Sequence, residues 1–228
     1  MALDFNGSTQ GTTRASGALG MTAFPVTMAC WFNPDVAPGG DITLMGMTDN
    51  AVDEALLLNF DSAGTSKLRA LSRSGSSGAE SVHGSAVSNT TWQHACAVWA
   101  SATSRQVYFN ANASTANTTS RAFPTGTLRF GLGCRAQTAN DQFFNGKIAE
   151  AAVWNATLTA AEIASLAKGV SPLMIRPASL IGYWPCLRNS VNISTATLDR
   201  WRSRLDLTEA NSPAYSEHPR VINPFHVL

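Results

Sequence analysis

Short segments in which apolar and polar residues alternate recur along the chain, and they constrain its fold more than any other feature. In FPVTMACWFN (24–33) every second residue is apolar, and Asn33-Pro34 follows. A period of two places one set of side chains on each face of a β-strand, and proline cannot donate to the ladder, so the strand is predicted to end there. The pattern predicts an all-β protein. Similar segments are ITLMGM (42–47), ALLLNF (55–60), KLRALSRS (67–74), TWQHACAVWA (91–100), RQVYFN (105–110), GTLRFGLG (126–133), IAEAAVW (148–154) and LIGYWPCL (180–187). A turn is predicted at Asn145-Gly146, just before the segment IAEAAVW.

One segment has a helical pattern instead. Thr159 and Glu162 form a capping box, Ile163 and Leu166 supply a small apolar face, and Gly169 can adopt the left-handed conformation that ends a helix. A helix is therefore predicted at about residues 160–168. A helix this short is not stable alone, so it must pack on a sheet. The sequence SGSSG (74–78) is interpreted as a flexible turn.

Composition excludes several classes of function. Only 14% of the residues are charged and the net charge is +1, which gives no electrostatic case for binding nucleic acid or an anionic membrane. No apolar run approaches the roughly 20 residues of a membrane-spanning helix. The N-terminus, MALDF, has no basic segment before an apolar one, so no signal peptide is expected. The four cysteines include no C-x-x-C pair, and we expect them to be buried free thiols.

Five segments in order resemble the laminin-G-like, concanavalin-A-like jelly-roll family. They are ALDFNGSTQ (2–10), FPVTMACWFNPD (24–35), TWQHACAVWASATSRQVYFNANA (91–113), LRFGLG (128–133) and FNGKIAEAAVWNATLTAAEIASL (144–166). The resemblance implies two stacked antiparallel sheets, with the short helix plugging one end of the sandwich. We expect a jelly-roll domain at residues 1–186 and a C-terminal extension at residues 187–228. The extension is expected to pack on this domain or on a neighbouring subunit.

The carboxylates do not form the pattern of an enzyme of this fold. Glycoside hydrolases of the family carry E-x-D-x-E or E-x-D-x-x-E on one strand, where a period of two puts the carboxylates on one face. Here Glu150 stands alone, and the adjacent Asp53 and Glu54 would point to opposite faces. His94 occupies the family's Trp-x-His position, where an internal hydrogen bond is expected. No G-x-S-x-G nucleophile turn occurs. The chain is predicted not to be an enzyme.

Calcium is the one cofactor that the resemblance suggests, because family members often bind it with loop oxygens. The family commonly has aspartate where this chain has Ala149, so one familiar carboxylate is missing. A plain polar loop is the alternative. The candidate ligands are Asp49, Asn50, Asp53 and Asp141.

Tryptophan and arginine residues provide candidates for binding. Four tryptophans lie in strand segments and are predicted to belong to the core: Trp31, Trp99, Trp154 and Trp184. Aromatic residues and arginine are enriched at protein interfaces. The C-terminal extension therefore contributes a candidate interface of Trp201, Arg202, Arg204, Arg220 and Phe225.

The C-terminal half also resembles small phage-encoded proteins of this family, in which a segment like SPLMIRPASLIGYWPCL precedes an end like SEHPRVINP. That resemblance implies a virion structural protein of a tailed bacteriophage. We expect a capsid decoration protein that is made in the host cytoplasm and assembles as a homo-oligomer, for which a trimer is the favoured hypothesis. Its partners would be capsid or other virion proteins. The alternative is a lectin-like module that binds carbohydrate.

Overall fold

The computed structural model describes residues 2–14, 18–49, 53–75, 77–186, 207–211 and 213–221. These residues form two antiparallel β-sheets and one α-helix, α1 (Ala160–Ala167). The strands are β1 (Ala2–Asn6), β2 (Gly11–Arg14), β3 (Val26–Pro34), β4 (Thr43–Thr48), β5 (Ala55–Phe60), β6 (Lys67–Ser74), β7 (Ser77–Ala86), β8 (Gln93–Ser101), β9 (Ser104–Phe109), β10 (Asn112–Ala113), β11 (Arg129–Leu132), β12 (Asn145–Trp154), β13 (Leu180–Trp184), β14 (Thr208–Ala210) and β15 (Ala214–Ser216).

The two sheets confirm the predicted all-β jelly-roll sandwich. The eight-stranded sheet has the order β10-β9-β8-β3-β12-β1-β15, and β13 pairs with β12 outside that path. The seven-stranded sheet has the order β14-β2-β11-β4-β5-β6-β7. Among the described residues, no helix has the length and apolar content needed to span a bilayer.

The main core lies between the sheets and follows the period-two pattern. Val26, Met28, Cys30 and Phe32 of β3 belong to it. The ring of Phe32 contacts Phe60 of the seven-stranded sheet edge-on, with ring centroids 6.0 Å apart. Side chains from both sheets therefore interdigitate, as expected for a sandwich.

A second apolar layer covers the outer face of the eight-stranded sheet. Cys96 of β8 and Trp154 of β12 pack there with Ile163 and Leu166 of α1. The expectation that α1 plugs an end of the sandwich is therefore wrong. The physical reason is that β3, β8 and β12 are apolar on both faces, and each outward face must also be removed from water.

The start of α1 has the predicted capping box. The Glu162 backbone N–H donates to Thr159 Oγ1 at 3.3 Å, and the Thr159 backbone N–H donates to Glu162 Oε2 at 2.7 Å. The SGSSG segment differs from its interpretation, because Ser77 and Gly78 already lie in β7. Pairing with β6 holds these small residues in the sheet, although their own strand propensity is low.

All four cysteines are buried and free, as expected. Burial raises the pKa of the Cys134 thiol to about 12, with a further contribution from the Asp141 carboxylate. Burial likewise raises the pKa of the Cys30, Cys96 and Cys186 thiols. These sulfhydryl groups are protonated at neutral pH.

The C-terminal residues add one strand to each sheet. β14 pairs with β2 in the seven-stranded sheet, and β15 pairs with β1 in the eight-stranded sheet. Residues 213–221, which we call the C-terminal strap, continue to the end of α1. There the Arg220 carbonyl oxygen lies 2.7 Å from the position that a Cβ on Gly169 would occupy. Gly169 has a φ of 88°, so both its conformation and this close approach favour glycine.

Candidate functional site

Two of the four predicted calcium ligands accept hydrogen bonds from other groups of the protein. Asp49 Oδ1 accepts a hydrogen bond from the Glu54 backbone N–H at 3.2 Å, Asp53 is exposed, and Asn50 lies outside the described residues. Asp141 Oδ1 accepts from Arg135 Nε at 2.8 Å. Among the described residues, no three carboxylate, histidine or cysteine side chains are grouped closely enough to hold a metal ion. Calcium binding at these residues stays a prediction.

Glu150 has a structural environment. It is 6% exposed and has a φ of 52° at an irregularity in the pairing of β12 with β3. Tyr183 donates from its hydroxyl to Glu150 Oε2 at 2.6 Å, and His218 Nε2 lies 3.0 Å from Glu150 Oε1. Burial, together with the neighbouring Glu150 carboxylate, raises the pKa of Tyr183 well above its usual range. The carboxylate therefore joins β12, β13 and the C-terminal strap.

His218 completes this buried cluster from the C-terminal strap. Its Nδ1 lies 2.7 Å from the Pro219 carbonyl oxygen, and its Nε2 lies 3.2 Å from the Pro185 carbonyl oxygen in addition to Glu150. Both ring nitrogens thus face acceptor oxygens. Sequence reasoning missed this cluster, because nothing near Glu150 in the sequence points to a histidine so far along the chain.

The internal hydrogen bond expected for the His94 ring is not made at Nδ1 within the described part of the chain. The residue is 2% exposed, and its Nδ1 has no hydrogen-bond partner among the described residues. Burial lowers the pKa of His94 to about 3, so the ring is neutral. It contacts Trp31 edge-on, with ring centroids 5.6 Å apart.

Trp31 is a correction to the predicted core. Trp99, Trp154 and Trp184 are buried, as predicted, but Trp31 is half-buried and belongs to neither apolar cluster. It lies on the outer face of the eight-stranded sheet, because it alternates with the core residues Cys30 and Phe32.

A polar and aromatic face surrounds Trp31. His94 is the cross-strand partner of Trp31, and Trp92, two residues before His94, is also half-buried. Asn33, two residues after Trp31, has a buried Oδ1 without a hydrogen-bond partner among the described residues. Lys147 pairs with Asn33 across β12 and β3, and its Nζ lies 2.6 Å from Asp35 Oδ1. We call Trp31, Asn33, Trp92 and Lys147 the aromatic face.

A shallow groove of about 180 Å³ lies beside the loop that joins β3 to β4. Its lining includes Val36, which is 52% exposed, together with Pro38, Ile42 and Phe143. The groove is mainly apolar and its lining contains no titratable side chain, so it can contact an apolar group but supplies no acid or base.

The candidate interface of the C-terminal extension is only partly described. Trp201, Arg202, Arg204 and Phe225 lie outside the described residues, and Arg220 is exposed. The backbone of Arg220 packs against Gly169 of its own domain. The described part of the extension thus packs on this sandwich, while its role between subunits stays a prediction.

Comparison with known proteins places this architecture in a family. A laminin-G family model, described as the concanavalin A-like lectin/glucanases superfamily, matches residues 6–164. The chain belongs to this superfamily. A search of curated proteins found no match.

Solved structures of several other proteins share the fold at low sequence identity. A putative carbohydrate-binding protein from Bacteroides ovatus is 14% identical with a TM-score of 0.62, and the match covers 93% of this chain and 62% of that one. Domain 4 of an extracellular arabinanase from Geobacillus stearothermophilus, in complex with arabinotriose, is 19% identical with a TM-score of 0.59, covering 73% and 76%. Tailspike protein 2 of the Escherichia coli O157:H7 bacteriophage CAB120 is 12% identical with a TM-score of 0.50, covering 80% and 30%. At such identities the likeness shows the fold alone.

Proposed function

We propose that this superfamily member is a non-enzymatic virion structural protein of a tailed bacteriophage that decorates the capsid. The observation that carries the proposal is the contact between His218 and Glu150. The segments that resemble small phage-encoded proteins lie beyond residue 164, where the superfamily match ends. His218 belongs to one of these segments, and it contacts a carboxylate in a central strand of the sandwich.

The residues that the superfamily model matches and the later segments that resemble phage-encoded proteins therefore fold as one unit. The first phage-like segment supplies β13, whose Tyr183 also binds Glu150. The second supplies residues 216–221 of the C-terminal strap. This joint packing favours the interpretation of the whole chain as one virion protein over its interpretation as a lectin domain with an unrelated tail.

The carboxylates support a non-enzymatic role. Glu150 is buried in the structural cluster, and Asp141 is paired with Arg135. A glycoside hydrolase needs two carboxyl groups that flank the scissile bond, about 5–10 Å apart and open to substrate. The described carboxylates that share a neighbourhood are bound to a cation instead, since Arg69 binds both Asp41 and Glu80, and Lys147 binds both Asp4 and Asp35.

Co-sedimentation tests the proposal. The full chain is mixed with capsids of the encoding phage from which its gene has been deleted, and bound protein is measured as a function of concentration. We expect saturable binding to the capsids. Light scattering of the full-length chain measures its oligomeric state, for which we expect a trimer. If the extension forms this homo-oligomer, a variant lacking residues 213–228 should bind the capsids more weakly.

The aromatic face favours a second candidate function, which is carbohydrate binding. Trp31 and Trp92 are half-exposed, and the half-buried polar residues Asn33 and Lys147 lie on the same face. An aromatic ring can pack on the apolar face of a sugar, while a polar side chain nearby can form a hydrogen bond with a hydroxyl group. Affinity electrophoresis in gels that contain a neutral polysaccharide tests this candidate. Trp92→Ala should abolish any retardation of the protein, whereas Val36→Ala in the groove should leave it unchanged.

A further inference from the structure

Two arginines lie in one cross-strand row on the outer face of the seven-stranded sheet. The row runs from Arg129 on β11 through Thr48 on β4 and Ala55 on β5 to Arg73 on β6. Directly paired residues of an antiparallel sheet share a face. The face is the outer one, because Phe130 next to Arg129 belongs to the core between the sheets. The two Cα atoms are three strand spacings apart, or about 14 Å.

Most of the described arginines have a side-chain partner, whereas these two do not. Arg69 binds Asn59, Asp41 and Glu80, and Arg135 binds Asp141. Within the described part of the chain, Arg73 and Arg129 make no side-chain hydrogen bond or ion pair, and the Nε of each is buried. Arginine stays charged at all physiological pH values, so each is a partly buried charge that lacks a counter-ion.

The residues between the two arginines in the row are small and uncharged. Thr48 and Ala55 are both 0% exposed. The Thr48 hydroxyl is already used, since it lies 2.8 Å from the Asp49 carbonyl oxygen and 3.2 Å from the Ala136 carbonyl oxygen. The nearby Glu54 carboxylate accepts from the Gly75 and Thr125 backbone N–H groups at 3.1 and 3.3 Å. Among the described residues, no carboxylate forms an ion pair with Arg73 or Arg129.

We propose that the Arg73–Arg129 row binds an anionic group of an acidic polysaccharide, which is a sulfate, phosphate or carboxylate. A guanidinium group donates two parallel hydrogen bonds to such oxygens, and two guanidinium groups in one row with no charged residue between them favour an anionic ligand. The preference for an anion rests on the arginines alone. That the anion belongs to a saccharide rests on the second candidate function proposed above.

Calorimetry with three probes separates these two parts of the inference. The probes are dextran sulfate, inorganic sulfate and neutral dextran, each titrated into the full-length chain. We expect dextran sulfate and inorganic sulfate to bind and neutral dextran to give no heat at this site. If inorganic sulfate binds and dextran sulfate does not, the row is an anion site, but its ligand is not an acidic polysaccharide. Failure of both sulfated probes to bind would overturn the site itself, whatever the outcome of the capsid and neutral-polysaccharide experiments.

Paired charge-removing variants test the residues. The double variant Arg73→Gln/Arg129→Gln should weaken binding of dextran sulfate at least about tenfold, because each charge-assisted contact is lost. The control Lys168→Gln/Arg176→Gln removes two positive charges from other exposed positions and should change the affinity by less than about threefold. An equal loss in both would mean non-specific attraction and would overturn the proposal.

Thermal denaturation gives a second readout. Sulfate should raise the melting temperature of the wild-type protein and not that of the arginine double variant, since a ligand stabilises only the state that binds it. Without sulfate the double variant should melt at the same temperature as the wild type or higher, because unpaired buried charge has been removed. If Arg73→Gln/Arg129→Gln does not fold, Arg73→Lys/Arg129→Lys keeps the charge, loses the forked donors and should still bind sulfate more weakly.

Discussion

Tyr183 on β13 donates a 2.6 Å hydrogen bond from its hydroxyl to Glu150 Oε2 on β12. The C-terminal strap contacts the same carboxylate, because His218 Nε2 lies 3.0 Å from Glu150 Oε1. One buried carboxylate thus connects a central strand with two later segments of the chain.

Tyr183→Phe tests the contribution of that hydrogen bond to stability. Removing the hydroxyl leaves the Glu150 carboxylate with one donor fewer in a buried position, which should lower the free energy of unfolding by about 1–3 kcal/mol. Urea denaturation measures the change. Tyr215→Phe is the matched control, because the Tyr215 hydroxyl donates to Glu209 in an exposed position. Equal effects of the two substitutions would contradict a special role for the buried bond.

His218→Ala tests whether the histidine attaches the C-terminal strap to the sheet. Without the imidazole, the Ala214–Ser216 strand should open more often, while the central strands β3, β8 and β12 keep their protection. Hydrogen exchange followed by mass spectrometry measures both regions. We expect the exchange in the strap to increase at least about tenfold if the contact contributes 1.4 kcal/mol or more. Glu217→Ala changes an exposed neighbour and should leave exchange unaltered; unchanged exchange in His218→Ala would mean that strand pairing alone holds the strap.

Thr159→Ala tests the capping box of α1. The substitution removes the oxygen that accepts the Glu162 backbone N–H, and the loss of such a cap typically costs about 1 kcal/mol. Thr157→Ala, at an exposed position just before the helix, is the control and should have little effect. Because α1 covers the outer face of the eight-stranded sheet, Cys96 should also become more accessible to alkylation in Thr159→Ala. A stable variant with an unreactive Cys96 would contradict this account of the cap.

His94 should make the protein less stable in acid. Burial lowers its pKa from 6.5 to about 3, so the folded protein holds the ring neutral while the unfolded chain protonates it. Above pH 6.5 the ring is neutral in both states, and the free energy of unfolding is not reduced. As the pH falls from 6.5 towards 3, only the unfolded chain binds the proton, so the free energy of unfolding decreases by up to about 5 kcal/mol. His94→Leu should therefore flatten the dependence of the free energy of unfolding on pH in this range. Ring proton shifts of His94 that titrate near pH 6.5 in the folded protein would contradict the buried neutral ring.

Local patterns in the sequence predicted much of the fold. The segments ALLLNF and KLRALSRS coincide with β5 and β6 in the structure, because apolar alternation and bounding turns are properties of neighbouring residues. The predicted turn at Asn145-Gly146 is wrong, because both residues begin β12 and Gly146 pairs with Phe5 and Pro34 of the neighbouring strands. The capping box fixed the start of α1 for the same reason. β7 was missed, since its first residues are small and polar and are held by pairing with β6.

The candidate sites depended on contacts that the local pattern does not contain. Alternation correctly placed Trp31 on a strand, but it does not tell which layer covers the outer face, so the tryptophan was assigned to the core. The contact between His218 and Glu150 joins segments that are far apart in the chain. The Arg73–Arg129 row likewise exists only through the order β11-β4-β5-β6, which brings together strands that are distant in sequence.

Quantitative mass spectrometry of purified phage particles tests the virion assignment most directly. Particles of the phage that encodes this chain are purified by density gradient, and the number of copies of the chain is measured relative to the major capsid protein. The account predicts a fixed, high copy number that is retained after salt washing and is absent from particles in which the gene has been deleted. Particles that lack the chain, with the protein recovered only from the infected-cell lysate, would contradict it.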